Sequence, residues 1–153
     1  MLSKSSNETK KFARILAKYL KPGDIVLFYG DLGSGKTTFI QGICEGLKVD
    51  PDIAITSPTF SIINLYEGIY PIAHVDLYRL ESFNIEELGL WEYLNTHIML
   101  IEWAEKLTFL PKEDFLEIKI QFIDETTRSI SLTGYGEWFE LLKALERDAK
   151  LDK

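Results

Sequence analysis

Gly30-Asp31-Leu32-Gly33-Ser34-Gly35-Lys36-Thr37, with a second threonine directly after it at Thr38, fits the pattern G-x-x-x-x-G-K-[ST]. Glycines at 30, 33 and 35 let the main chain bend through conformations that a Cβ would forbid. The loop's N–H groups can then turn inward onto a polyphosphate. Lys36 adds a mobile positive charge for β- and γ-phosphates, and Thr37 offers a hydroxyl to Mg2+. The flanks agree with this reading. Ile25-Val26-Leu27-Phe28-Tyr29 is a continuous apolar run, as in a buried strand, and Phe39, Ile40, Ile43 and Leu47 recur at helical spacing. Strand, glycine loop and helix start, in that order, set an anion at a helix N-terminus where the dipole favours it. The chain is therefore expected to bind a nucleoside triphosphate and Mg2+. Gly30, Asp31, Leu32, Gly33, Ser34, Gly35, Lys36, Thr37 and Thr38 form the nucleotide cradle.

Upstream of the loop, Ser5, Ser6, Asn7 and Thr9 are candidate helix caps, and Phe12, Ile15, Leu16, Tyr19 and Leu20 make an amphipathic stripe. Pro22-Gly23-Asp24 ends that helix and delivers the chain to the first strand. This helix must then lie near the nucleotide, so Ser6 and Thr9 are either plain caps or nucleotide contacts. Downstream, Thr56, Ser57 and Thr59 set three hydroxyls around Pro58. In phosphate-loop proteins such a segment often senses the γ-phosphate, and Thr59 is the candidate here; an ordinary polar loop is the alternative.

Residues 61–66 and 70–78 read as a hairpin across Glu67-Gly68-Ile69, which makes the sheet mixed. Asp76 follows apolar residues, where a carboxylate is costly without a purpose. A structural pair with Arg79 and a place in the metal site are both open to it. Residues 84–94 read as a helix whose Glu86, Glu87 and Glu92 form a solvated acidic face. His97-Ile98-Met99-Leu100-Ile101-Glu102-Trp103 is a second buried strand with a carboxylate at its C-terminal end. That edge is where open α/β sheets bind ligands, so Glu102 can hold Mg2+ or polarise the attacking water. His74 and His97 read as ordinary strand residues. Residues 115–124 and 128–135 alternate as a second hairpin, expected at the sheet edge. Trp138, Leu141, Leu142 and Leu145 form the packing stripe of a terminal helix.

With 153 residues the chain suits one domain, 1–153, of class α/β: a phosphate-loop (P-loop) NTPase-like three-layer sandwich with a mixed central sheet. The net charge of -7 argues against high-affinity binding of tRNA or DNA unaided. Cys44 is the sole cysteine, which excludes an internal disulfide and a cysteine metal cluster. The first residues do not form a signal peptide and no apolar run approaches membrane-spanning length, so the expectation is a soluble, cytoplasmic protein. No N-K-x-D base-recognition motif is present, which favours ATP over GTP. The scattered Arg14, Arg79, Arg128 and Arg147 offer little for a kinase lid. From motifs alone the reading is a compact Mg2+-dependent ATPase or an ATP-gated switch.

A resemblance extends it. Gly30 to Thr38 looks like the GDLGAGKTT signature of the bacterial TsaE (YjeE) family, with Ser34 in the usual alanine place. Ser57-Pro58-Thr59-Phe60 resembles its S-P-T-[YF] element, and His74-Val75-Asp76-Leu77-Tyr78-Arg79-Leu80 its H-x-D-L-Y-R-L. Glu86-Glu87-Leu88 resembles the family's E-E-L, and Ile101-Glu102-Trp103 its [IV]-E-W. The resemblance implies an ATPase needed for threonylcarbamoyl modification of adenosine 37 in tRNAs reading ANN codons, acting with the TsaB–TsaD pair. It implies phosphate binding by Lys36 and the loop amides, and Mg2+ held by Thr37 and Glu102. Asp76 would assist hydrolysis or metal placement, Thr59 would be the switch threonine, and Trp103 would pack beside the nucleotide. The tRNA would be held mostly by the partners. An ATP-gated adaptor without essential hydrolysis, or a small-molecule kinase, stands as the alternative.

Overall fold

A computed structural model describes residues 1–58, 62–80 and 88–151 of the chain. The first element is a short strand, β1 (Leu2–Ser3), followed by helix α1 (Ser6–Ala17). Ser5 caps α1 by accepting from the Glu8 amide at 3.1 Å, and Glu8 reaches back to accept from the Lys4 amide at 2.7 Å. Two orphan amides are satisfied reciprocally in this way. The apolar run becomes β2 (Ile25–Tyr29), and the stripe after the glycine loop becomes α2 (Lys36–Gly46). Then come the hairpin β3 (Ile63–Glu67) and β4 (Pro71–Asp76), the strand β5 (Ile98–Glu102), the hairpin β6 (Phe115–Phe122) and β7 (Arg128–Tyr135), and helix α3 (Trp138–Leu151).

These strands form one seven-stranded sheet in the order β1-β7-β6-β2-β5-β4-β3. The inner strands β6, β2, β5 and β4 run parallel, and antiparallel neighbours complete both sides. β2 is apolar throughout because both its faces are covered. Val26 and Phe28 pack beneath α1, α2 and α3, whereas Ile25 and Leu27 face Leu77, Leu90, Met99 and Ala104. The two covering layers differ. Among the described residues, three α-helices lie on the first face, and on the second the cover is 3₁₀ turns at Leu90–Tyr93 and Ala104–Lys106 with their connecting coil. Among the described residues, no helix is long and apolar enough to cross a membrane.

Three expectations need correction. The second hairpin is not at the rim: β6 is the parallel neighbour of central β2, and β7 is bordered by β1. Alternation tells which face a residue occupies but not which strand lies beside it. The helix expected over 84–94 is, where described, a 3₁₀ turn entered through Gly89 in the left-handed region; residues 84–87 lie outside the described residues. Of the two histidines read as strand residues with ordinary hydrogen bonds, His97 lies just before β5, its Nδ1 2.7 Å from the Thr96 hydroxyl, whereas His74 is in β4 as expected, fully buried and bonded to Glu102. The stripe on the terminal helix holds: Trp138 and Leu145 are buried and Leu141 and Leu142 pack against the core.

Candidate nucleotide and metal site

The parallel strands bring their C-terminal ends to one edge, and the glycine loop leaves β2 there. Gly30 has φ 153°, and a Cβ on it would lie 2.5 Å from both the Ile120 carbonyl oxygen and Ser34 Oγ. Nothing but glycine fits that crossing. Ser34 itself is buried and its Oγ has no hydrogen-bond partner. Lys36 opens α2 yet is only 5% exposed, because its side chain folds back under the loop. Its Nζ donates to the Gly30 carbonyl at 2.5 Å and sits 4.1 Å from the centre of the Trp103 ring. Burial lowers the pKa of this ammonium, while the charges of Glu102 and Asp76 push it back up. A cation held this way gains by meeting an anion.

Register sets the acids opposite the loop. Phe28 pairs with Glu102 across β2 and β5, and Glu102 pairs with Asp76 across β5 and β4. Glu102 is 2% exposed and its Oε2 takes two hydrogen bonds: from Ser57 Oγ at 2.9 Å and from His74 Nε2 at 2.7 Å. An ionised carboxylate can only accept, so the imidazole proton is on Nε2. Ser57 has one proton and spends it on Glu102. In the 2.6 Å bond between Thr37 Oγ1 and Ser57 Oγ, Thr37 is therefore the donor. The lone pairs of Thr37 stay available to a cation.

Asp76 is half-buried, with Oδ1 accepting from the Tyr78 amide at 2.9 Å. Burial raises its pKa most; the Tyr78 bond lowers it, Glu102 raises it, and Lys36 and His74 lower it. Trp103 adopts φ 59° and packs on Tyr78 with ring centres 4.8 Å apart. Lys106 Nζ fastens the facing turn by donating to the carbonyls of Tyr78 at 2.5 Å and Leu80 at 2.8 Å.

The donor set fits Mg2+. Thr37, Glu102 and Asp76 offer hard oxygens, the ligands this ion prefers. Among the described residues no group of three or more His, Cys, Asp or Glu could cage a metal unaided. That suits an ion shared between a few protein oxygens, water and phosphates. The glycine cradle, the orphaned Ser34 hydroxyl and the α2 N-terminus suit the phosphates.

Residues 30–38, Asp76, Glu102 and Trp103 thus come together at one edge. Thr9 does not join them. It is 3% exposed and its hydroxyl is bound to Ser3 Oγ at 2.6 Å, so it ties α1 to β1. Ser6 is exposed at the start of α1, but the cap is Ser5. Thr59, Glu86 and Glu87 lie outside the described residues. Sequence reasoning underrated His74 and Ser57, and it dismissed Arg128. The Arg128 side chain runs 3.6 Å from where a Gly35 Cβ would stand, pinned by Nη1 to the Asp124 and Thr127 carbonyls, with a buried, unbonded Nε. One signal for His74 was available: it lies two residues before Asp76, hence on the same face of a strand, and is polar among apolar neighbours.

This chain is similar to known proteins over most of its length. A family model described as threonylcarbamoyl adenosine biosynthesis protein TsaE matches residues 3–130. The tRNA threonylcarbamoyladenosine biosynthesis protein TsaE of Bacillus subtilis is 40% identical over 137 residues, covering 88% of this chain and 85% of the relative. That of Rickettsia felis is 41% identical over 148 residues, covering 95% and 86%. The crystal structure of Bacillus subtilis YdiB superposes with a TM-score of 0.76 at 35% identity, covering 97% of this chain and 94% of that one. With the family model spanning residues 3–130 and relatives about 40% identical over most of its length, the chain belongs to the TsaE family, the threonylcarbamoyl adenosine biosynthesis proteins.

Proposed function

We propose that this chain binds and hydrolyses Mg2+-ATP in the cytoplasm, in support of threonylcarbamoyl modification of adenosine 37 in tRNA, and that it does so with the TsaB–TsaD pair. What supports the reading is one convergence: Lys36, Thr37, Glu102 and Asp76 meet at the C-terminal edge of the parallel strands. Loop amides and Lys36 bind the phosphates. Thr37 and Glu102 hold Mg2+, directly or through water, and Asp76 orients water or completes the metal shell. Mg2+ bound there neutralises charge on the β- and γ-phosphates. Trp103 packs beside the nucleotide. With a net charge of -7 the chain leaves most of the tRNA to its partners.

Hydrolysis by the chain alone is expected to be slow. Arg128, the arginine beside the loop, has Nη1 committed to two carbonyls. Among the described residues, Lys36 is the cation seated beneath the loop, and no arginine has a guanidinium fully free to meet charge developing on the transferred phosphoryl group. The test is steady-state phosphate release with and without TsaB–TsaD, alongside ATP affinity in both conditions. The expected result is a higher rate and tighter ATP with the pair, and by linkage tighter association in ATP by the same factor. Equal rates and equal affinities would remove the partner-gated reading. Phosphate appearing on an acceptor other than water would make the chain a kinase instead.

A further inference from the structure

Glu102 is bound asymmetrically. Both of its hydrogen bonds, from Ser57 and from His74, fall on Oε2. Among the described residues Oε1 receives no hydrogen bond, and it is not one of the fully buried orphans, which are Ser34 Oγ, Arg128 Nε and Trp138 Nε1. A carboxylate oxygen left unbonded at the edge of an otherwise buried side chain keeps its lone pairs for a ligand. Here the free oxygen belongs to the acid facing Thr37 through Ser57, and Thr37 has its lone pairs free.

His74 is itself fixed from behind. It is 0% exposed, and Nδ1 lies 3.3 Å from the Tyr66 hydroxyl. In a neutral imidazole with its proton on Nε2, Nδ1 accepts, and a tyrosine that donates there holds the ring in that tautomer. The Tyr66 hydroxyl also lies 3.4 Å from the carbonyl of Thr56, next to Ser57; that carbonyl can only accept, so the single phenolic proton is shared between it and Nδ1. Tyr66 on β3 and His74 on β4 are diagonal neighbours, since His74 pairs with Asn64 and Tyr66 with Ile72, and their ring centres are 5.9 Å apart. The path from Tyr66 through His74 to Glu102 thus runs across three adjacent strands and closes on the residue before Ser57.

We propose that His74 is a positioning residue for Glu102. Oriented by Tyr66, it pins the carboxylate by Oε2 so that Oε1 is presented as a single ligand oxygen to the divalent cation. This rests on the Mg2+-nucleotide reading above. Second neighbours of this kind fix a ligand's geometry, and their loss typically costs tenfold or more in metal affinity. A purely scaffolding histidine would instead affect stability and leave the cation untouched.

The experiment compares the parent with His74→Phe, which keeps the ring shape but donates nothing, and with His74→Gln, which restores an N–H. Tyr66→Phe removes only the hydroxyl. The readouts are Mn2+ affinity of the ADP complex by electron paramagnetic resonance, ATP affinity in EDTA, and the thermal midpoint. His74→Phe is expected to weaken Mn2+ about tenfold or more, with metal-free ATP affinity within about twofold of the parent. His74→Gln should recover most of the loss, and Tyr66→Phe should show a smaller loss in the same direction. If His74→Phe does not fold, His74→Gln and Tyr66→Phe decide: parent-like Mn2+ affinity in the first and reduced affinity in the second support the proposal. Unchanged Mn2+ affinity in folded His74→Phe, or in Tyr66→Phe when it is the remaining probe, overturns it. So does equal loss in His74→Phe and His74→Gln. A parent ADP complex that takes up no Mn2+ overturns the metal-site reading itself, and this inference with it.

Discussion

At the scale of single residues, burial sets the chemistry of two groups outside the candidate site. Cys44 is 1% exposed on α2, and desolvation pushes its thiol up to about 12. At pH 8 roughly one molecule in ten thousand would carry the reactive thiolate. Folded protein should therefore resist an aromatic disulfide reagent and release one equivalent of thiol only in denaturant. Rapid modification of folded protein would mean that the α2 packing opens. Asp24 is also buried, at 1% exposure, where it accepts from the Lys21 amide at 2.9 Å. Desolvation raises its pKa; the Lys21 hydrogen bond and the charges of Lys21 and Lys112 only partly oppose this. The folded chain thus holds this proton more tightly than the unfolded chain. Stability contributed by Asp24 falls as pH rises from the ordinary aspartate value through the raised one, and stays lower above it. Relative to the parent, Asp24→Asn should gain stability across that rise. Urea midpoints measured through the acid range check it, and a variant-minus-parent difference independent of pH would contradict it.

At the scale of elements, the contact between α1 and α2 depends on two missing side chains. A Cβ on Gly42 would lie 2.6 Å from Ala13 Cβ and 2.8 Å from the backbone of Lys10; one on Gly46 would lie 2.6 Å from Ala17 Cβ. The helices therefore touch backbone to backbone, and α1 is held over the helix that leaves the glycine loop. Alanine at 42 would gain about 1 kcal/mol in helix propensity. It would also force α1 and α2 apart, at about 1–3 kcal/mol for overpacking. Overpacking should win because the obstructing atoms at Lys10 are main chain, not a flexible side-chain end. Gly42→Ala is expected to lower the unfolding free energy by roughly 1 kcal/mol. Chemical denaturation gives the sign directly, and a more stable variant would show that the helices can separate freely.

At the scale of the whole molecule, ligand binding and stability are one quantity. If Mg2+-ATP binds only the folded chain, a concentration one hundred times Kd adds about 2.7 kcal/mol. For a domain of this size the midpoint should rise by roughly 5–10 °C. Lys36→Ala removes the ammonium that is buried against Gly30 and Trp103. The variant should fold and show little or none of that rise. A full rise in the variant would place the nucleotide elsewhere. Tyr66, Ser57 and the second hairpin show why this scale matters, since each acquires its role only from what the sheet brings beside it.

The sequence by itself determined the glycine loop, the strand that enters it, the helix that leaves it and the carboxylate at the end of a second apolar run. These are local: consecutive residues at 30–37 carry their own backbone requirements, and a run such as 98–102 carries its own burial. Only the tertiary structure decided which strands are neighbours. Parallel register aligned Phe28, Glu102 and Asp76 in one row, and side-chain bonds across 28 residues joined His74 to Glu102 and across 20 joined Thr37 to Ser57. The same kind of decision moved Thr9 from the candidate site into the join between α1 and β1. Periodicity fixes the face a side chain occupies, because that follows from one strand's pleat. The partner opposite depends on strand order and register, which are set by packing among all the elements at once.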